Sequence, residues 1–214
     1  MKGEVHFTKI ERYILNPLCP VAKAIFRWFF GIKYSGLENV PEGPCIVAAN
    51  HRSHLDPPVL NSVLPRPLVF LAKEELFKPP LGWFLKHMRA IPVRRRGDFE
   101  VLKISLDLLN KGLQIGIFPE GTRAQPGKFL KPKAGVGILA VKSGVPVVPV
   151  LIEGTDRSLP RGAKFPRPFG DIRVRIGQPL VFKDSDDSPR GYREVAERIM
   201  QRIQELSSSS LRSL

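Results

Sequence analysis

An α/β layered domain, with a mixed or mostly parallel sheet flanked by helices, is predicted from the sequence on three observations. Short apolar segments alternate with segments of helical periodicity from Tyr34 onward. The 214 residues, 43% of them hydrophobic and 25% charged, suffice for one domain with a sizeable core and match ordinary globular usage. Tyr192, Val195, Ile199, Ile203 and Leu206 form one stripe of a C-terminal helix with Pro189 near its start.

Taken in order, residues 4–30 read as two helices broken at Asn16-Pro17 and Pro20. In the first, Phe7, Ile10 and Ile14 recur at helical spacing. The second, residues 21–30, crowds apolar bulk around Lys23 and Arg27, four apart on one face. That pattern fits a helix lying in a membrane interface, cations at the headgroups and aromatic rings below. It also fits a helix pair packed on the domain core. Strands are predicted at 32–37, 45–49, 68–72, 90–93, 114–118, 147–152 and 172–176, and helices at 57–64, 74–88, 98–111, 134–143 and 188–207. Residues 155–170, rich in Pro, Gly, Arg and Lys, read as a long loop. The predicted organisation is an N-terminal amphipathic helix pair over 1–31, one domain over 32–207 and a frayed tail over 208–214.

Thirty-four Lys and Arg against 20 Asp and Glu give a net charge of +14, which calls for an anionic partner: nucleic acid, an anionic lipid surface, or phosphorylated or acidic ligands. The excess sits in the middle of the chain, where residues 123–175 hold 11 basic and 3 acidic side chains, and not in residues 176–214, which hold 6 of each. Two cysteines cannot build a disulfide framework, so a reducing compartment is compatible. Residues 1–13 are polar where a signal peptide would be apolar. No uninterrupted run of about 18 apolar residues predicts a spanning helix, which does not exclude a chain lying on a membrane.

Three segments are candidates for chemistry. Asn50-His51-Arg52-Ser53-His54-Leu55-Asp56 follows the apolar segment 45–49. In an α/β sheet, a strand end is where reactive groups can face a crevice. A histidine there can take a proton near neutral pH, and a carboxylate can hold its ring in one tautomer. On a continuous helix His51 and Asp56, five apart, would point about 140° away from each other, so they meet only if the segment is a turn entering a helix. Asp56-Pro57 is also a helix-start signal, and Asp56 could merely cap. His54 competes with His51 as base.

The second segment is Phe118-Pro119-Glu120-Gly121-Thr122-Arg123, again after a strand. Gly121 lets backbone approach a ligand, Thr122 can donate to phosphate oxygens, and Arg123 can grip a phosphate with two N–H groups. Glu120 suits a polyol hydroxyl or a neighbouring cation. A polar turn with a surface ion pair is the plainer alternative. The third segment is Arg94-Arg95-Arg96 after the strand at 90–93, with Lys131 and Lys133 as a further cationic point. No nucleophile elbow, P-loop, dinucleotide fingerprint or zinc spacing is present. Cys45, inside an apolar strand, reads as packing. Without a covalent nucleophile, direct transfer from donor to acceptor is favoured.

Together and in this order, these segments resemble the glycerolipid acyltransferases, specifically the bacterial 1-acylglycerol-3-phosphate acyltransferases. Asn50, His51 and Asp56 match the family's Asn-His-x-x-x-x-Asp block, and residues 118–123 match Phe-Pro-Glu-Gly-Thr-Arg in full. Residues 90–95 match its arginine block, and residues 145–150 an apolar strand around a proline, with Lys133 and Gly135 upstream. The similarity spans roughly residues 34–155; Arg94 stands where relatives often have Asp. The resemblance implies His51 as general base, Asp56 as its orienting carboxylate, and Arg95, Glu120, Gly121, Thr122, Arg123 and Lys133 around the glycerophosphate end. It implies transfer of a fatty acyl group from acyl-CoA or acyl-carrier protein to the sn-2 hydroxyl of lysophosphatidic acid, giving phosphatidic acid. No metal or cofactor is implied. Backbone N–H groups near the His51 turn are the expected oxyanion donors. The expected location is peripheral or monotopic, on an anionic membrane surface at the cytoplasmic face.

A related enzyme acting on glycerol 3-phosphate or another lysophospholipid is the alternative within the family. A basic nucleic-acid-binding protein is disfavoured, since no nucleic-acid motif appears and aromatics are not interleaved with the basic run. A non-catalytic anionic-lipid-binding module would not require a histidine with a carboxylate partner.

Overall fold

The computed structural model describes residues 20–78, 90–93, 98–163 and 165–208. Helix α1 (Pro20–Phe30) leads into strand β1 (Lys33–Ser35) and then β2 (Ile46–Ala49), α2 (Asp56–Val63), β3 (Val69–Lys73) and β4 (Ala90–Val93). Helix α3 (Asp98–Asn110), β5 (Ile115–Ile117), α4 (Gly135–Ser143), β6 (Val147–Glu153), the one-turn helix α5 (Thr155–Ser158), β7 (Arg173–Ile176) and α6 (Pro189–Ser208) follow. Short 3₁₀ turns occupy Leu37–Asn39 and Glu74–Phe77.

The strands form one seven-stranded sheet in the order β1-β7-β6-β2-β5-β3-β4. All pairings are parallel except β6 with β7. The middle of the sheet is apolar on both faces, where helices cover it. In β2 the side chains divide by alternation: Val47 and Ala49 pack with Leu60, Val63 and Ile152 under α1 and α2. Ile46 and Ala48 pack with Leu139, Ile199 and Ile203 under α4 and α6. The predicted stripe on the last helix is therefore the face it buries: Val195, Ile199 and Ile203 are all 5% exposed or less. Fully burying one such side chain stabilises by about 1.5–3 kcal/mol.

Helix α1 is oriented otherwise than the interface reading expects. Lys23 Nζ donates to the Leu64 carbonyl (2.8 Å) and Arg27 to the Ser62 carbonyl (3.2 Å), so both cations turn inward onto the C-terminal end of α2. Carbonyls at a helix C-terminus lack intrahelical donors and favour positive charge, which is why the cations settle there. Phe26 and Phe30 reach the core, while Val21, Ile25 and Trp28 stay exposed. The first predicted helix, most of the helix at 74–88 and residues 209–214 of the tail lie outside the described residues. Among those described, no helix is long and apolar enough to cross a membrane.

Candidate active site

β2, β3, β4, β5 and β6 run parallel, so their C-terminal ends share one edge of the sheet, and the candidate segments that follow β2 and β5 leave from that edge. Ala48 is paired with Ile117, and the same register carried three residues further sets His51 beside Glu120. The two chains are fastened there. The His51 N–H donates to Glu120 Oε1 (2.9 Å), and the Ala124 N–H donates to the His51 carbonyl (2.8 Å). On the other side Asn50 acts like a further strand residue: its Nδ2 donates to the Ile152 carbonyl (2.9 Å), and the Ile152 N–H donates to its Oδ1 (2.7 Å). Asn50 and His51 are thus held, between them, from both sides of β2.

The segment after His51 is a turn entering α2, the geometry that five-residue spacing requires. His51 Nδ1 lies 2.7 Å from Asp56 Oδ2, with Asp56 wholly buried and the His51 side chain 17% exposed. The same oxygen accepts the N–H groups of Arg52 (2.7 Å) and Ser53 (2.8 Å). Asp56 is the first residue of α2, the preceding Leu55 is its N-cap, and no side chain caps the helix. The carboxylate faces back into the turn instead of along the helix. With Nδ1 hydrogen-bonded to Asp56, Nε2 is the ring nitrogen available for proton exchange.

The imidazole plane is set by stacking. The His51 ring lies 4.1 Å from the Phe118 ring at 17°, and Phe118 lies 5.8 Å from Phe70 at 13°. Gly116 makes room for this column, since a Cβ there would sit 2.2 Å from Phe70 Cε1. Sequence reasoning did not assign this role to Phe70, Phe118 or Gly116, although the full Phe-Pro-Glu-Gly-Thr-Arg match already contained Phe118.

Glu120 is 3% exposed and spends both oxygens on backbone: Oε1 on His51 and Oε2 on the Leu130 N–H (2.9 Å). Gly121 adopts φ 66, the left-handed region open to glycine, and the aliphatic end of Lys133 lies where its Cβ would be (2.7 Å). Lys133 is therefore brought to the Gly121 turn, whereas Lys131 pairs with Glu197 on α6 (3.8 Å). Gly121 and Thr122 are exposed and Arg123 half-buried. Burial and then the nearby Arg161 lower the Arg123 guanidinium from its ordinary value, with Asp56 opposing them. Burial first, then Arg123 and His51, likewise lower His54, against the pull of Asp56. Positive charge is thus gathered beside the His51 turn, which suits an anion. Arg94, Arg95 and Arg96 lie outside the described residues; Val93, the last described residue of β4, pairs with Lys73.

One sequence expectation changes and one is kept. Backbone N–H groups near the His51 turn were the expected oxyanion donors, yet those of His51, Arg52 and Ser53 are each taken by a carboxylate. Cys45 is fully buried, and burial pushes its thiol up to about 11, which agrees with a packing role.

The acyltransferase family model matches residues 31–153. A chloroplastic 1-acyl-sn-glycerol-3-phosphate acyltransferase of Brassica napus is 36% identical over 74% of this chain and 47% of its own length. The chain spans about half the length of the chloroplastic relatives it matches. A 1-acyl-sn-glycerol-3-phosphate acyltransferase of Pseudomonas aeruginosa is 32% identical over 87% of this chain and 74% of its own. The crystal structure of the 1-acyl-sn-glycerophosphate acyltransferase PlsC from Thermotoga maritima superposes with a TM-score of 0.73 at 31% identity, covering 93% of this chain and 82% of that one. By fold, by family match and by sequence identity, the chain belongs to the acyltransferase family.

Proposed function

We propose that this chain transfers a fatty acyl group from a thioester to the sn-2 hydroxyl of lysophosphatidic acid, giving phosphatidic acid. The observation that carries the reading is the 2.7 Å contact between His51 Nδ1 and buried Asp56, beside the Glu-Gly-Thr-Arg turn. The acceptor hydroxyl oxygen attacks the thioester carbonyl carbon while His51 Nε2 takes its proton. Asp56 holds the tautomer and stabilises the imidazolium. The tetrahedral intermediate collapses, the carbon–sulfur bond breaks, and the imidazolium returns the proton to the departing sulfur. One ester forms and one free thiol leaves. Proton transfer by a positioned base contributes typically about 10²–10⁴-fold, and binding both substrates in line supplies much of the rest.

Arg95, Arg123 and Lys133 hold the acceptor phosphate, with Gly121 and Thr122 presenting backbone and hydroxyl donors. Glu120, its oxygens occupied by amides, braces the two loops rather than touching the acceptor. The donor is acyl-CoA or acyl-carrier protein, both anionic. Acceptor and product reside in a bilayer, which favours peripheral attachment at the cytoplasmic face through the exposed Val21, Ile25 and Trp28 of α1.

The test follows thiol release from purified protein given a long-chain acyl thioester on either carrier. Parallel samples hold lysophosphatidic acid, glycerol 3-phosphate or a lysophospholipid with a different headgroup. Release with lysophosphatidic acid and formation of phosphatidic acid are expected. Release only with glycerol 3-phosphate or another headgroup would reassign the acceptor, and none with any would end the enzymatic reading.

A further inference from the structure

The segment from Leu159 to Asp171 joins the catalytic turn to α1. At one end Ser53 Oγ, inside the His51–Asp56 turn, donates to the Leu159 carbonyl (3.0 Å). At the other the Phe169 N–H donates to the Phe29 carbonyl (2.9 Å), and the Phe169 ring meets Trp28 edge-on at 5.7 Å. Between them the Arg167 N–H donates to the Ser158 carbonyl (2.7 Å), and Gly170 packs so tightly on α5 that a Cβ would lie 1.6 Å from Ser158 Oγ. The segment is built, not slack.

Yet this fastened segment turns its largest apolar side chains outward: Phe165 is 82% exposed and Phe169 64%. Phe169 (φ 53) and Asp171 (φ 46) hold left-handed backbone, which is uncommon for a phenylalanine and costs free energy. Exposed Trp28 (70%) continues the apolar surface onto α1. The segment is also cationic. Arg161, Lys164 and Arg167 occur with no acidic residue between Asp156 and Asp171. That charge answers a deficit, because α1 has turned Lys23 and Arg27 inward and offers an apolar stripe without them.

We propose that the segment 159–171 is the second half of a membrane-binding surface. Phe165 and Phe169 enter an anionic bilayer beside Trp28, and Arg161 and Arg167 meet its phosphate headgroups. This rests on the reading of α1 as a bilayer contact and extends it to a part of the chain that is hydrogen-bonded to the His51–Asp56 turn. The Ser53–Leu159 link holds the mouth of the site at the lipid surface, where acceptor arrives and product departs.

The test is co-flotation of the full chain with vesicles of three parts neutral to one part anionic phospholipid. It compares the wild type, Phe165→Ser, the double variant Phe165→Ser/Phe169→Ser, and Trp28→Ser. Each inserted phenylalanine is worth about tenfold or more in partitioning, so about 100-fold is expected for the double variant. Vesicles of neutral lipid alone should hold the wild type more weakly. The melting temperature of Phe165→Ser and its turnover of a short-chain acceptor dispersed below micellar concentration should stay at wild-type values. Unchanged flotation of a folded double variant, with flotation lost in Trp28→Ser, would overturn this proposal and leave the function and α1 readings standing. Absence of flotation by the wild type would overturn the membrane reading as a whole. If the wild type sediments as a dimer and Phe165→Ser as a monomer, the patch is covered by a second copy and the proposal fails.

Discussion

Replacing Asp56 by Asn and, separately, by Ala divides the structural work of its carboxylate from its chemical work. Oδ2 accepts three N–H groups, from the His51 ring and from the backbones of Arg52 and Ser53. Alanine removes all three acceptor contacts and strands two amides within the turn. At about 1–3 kcal/mol for each unsatisfied buried donor, Asp56→Ala should cost about 2–6 kcal/mol, a large share of the total stability of about 5–15 kcal/mol usual for a domain. Asparagine behaves differently. Its amide oxygen can take the position of Oδ2 and keep the three contacts, while its NH₂ takes the position of Oδ1, which is buried and has no hydrogen-bond partner among the described residues. The structural cost falls to about 1–3 kcal/mol, from burying the unpaired NH₂. What asparagine cannot do is stabilise the imidazolium with a negative charge. Turnover of Asp56→Asn should therefore fall by about 10²–10⁴-fold, equivalent to about 3–5 kcal/mol of transition-state stabilisation. Thermal unfolding and thiol release on the same preparations read the two effects separately. A folded Asn variant turning over within about tenfold of wild type would refute the His51–Asp56 pairing as the catalytic device.

Three other predictions follow from the same edge of the sheet. Gly116→Ala places a methyl against the Phe70 ring; it should cost about 1–3 kcal/mol and, by tilting the Phe70–Phe118–His51 column, lower turnover about 10- to 100-fold. Normal turnover with a normal melt would show that the ring column does not set the imidazole. Glu120→Gln offers one acceptor oxygen to two amides and should lower stability by about 1–3 kcal/mol. In that variant turnover should drop while the KM for acceptor stays within about threefold, and a rise in acceptor KM alone would mean that Glu120 touches the acceptor. Arg95→Ala should raise the KM for the phosphorylated acceptor about 10- to 100-fold, and an effect confined to the thioester would count against its phosphate role.

The central strands were legible because a sheet covered on both faces makes them apolar runs, and β2, β4 and β6 fall within a residue of their predicted bounds. The stripe on α6 was legible for the matching reason, a single buried helix face. Strand order was not, since residues distant in sequence, such as Ile46 and Val147, become neighbours only through long crossovers. The one-turn α5 lay hidden in a segment rich in Pro and Gly, because a single turn has no periodicity to read. The site divided along similar lines. Its residue types were visible, but whether Asp56 capped a helix or braced a histidine depended on which way its side chain turned. That direction is set by Nδ1 of His51 and two amides of the preceding turn. The inward turn of Lys23 and Arg27 was likewise invisible, since it answers carbonyls of a different helix, at Ser62 and Leu64.

The most direct measurement of the central claim is the turnover number of His51→Ala beside wild type, read as free thiol released from an acyl thioester in the presence of lysophosphatidic acid. A melting temperature for each protein accompanies it. With His51 as the base, the variant keeps its fold and loses about 10²–10⁴-fold in turnover. A folded His51→Ala protein that turns over within about tenfold of wild type would contradict the account, whatever the sheet and the acidic partner look like.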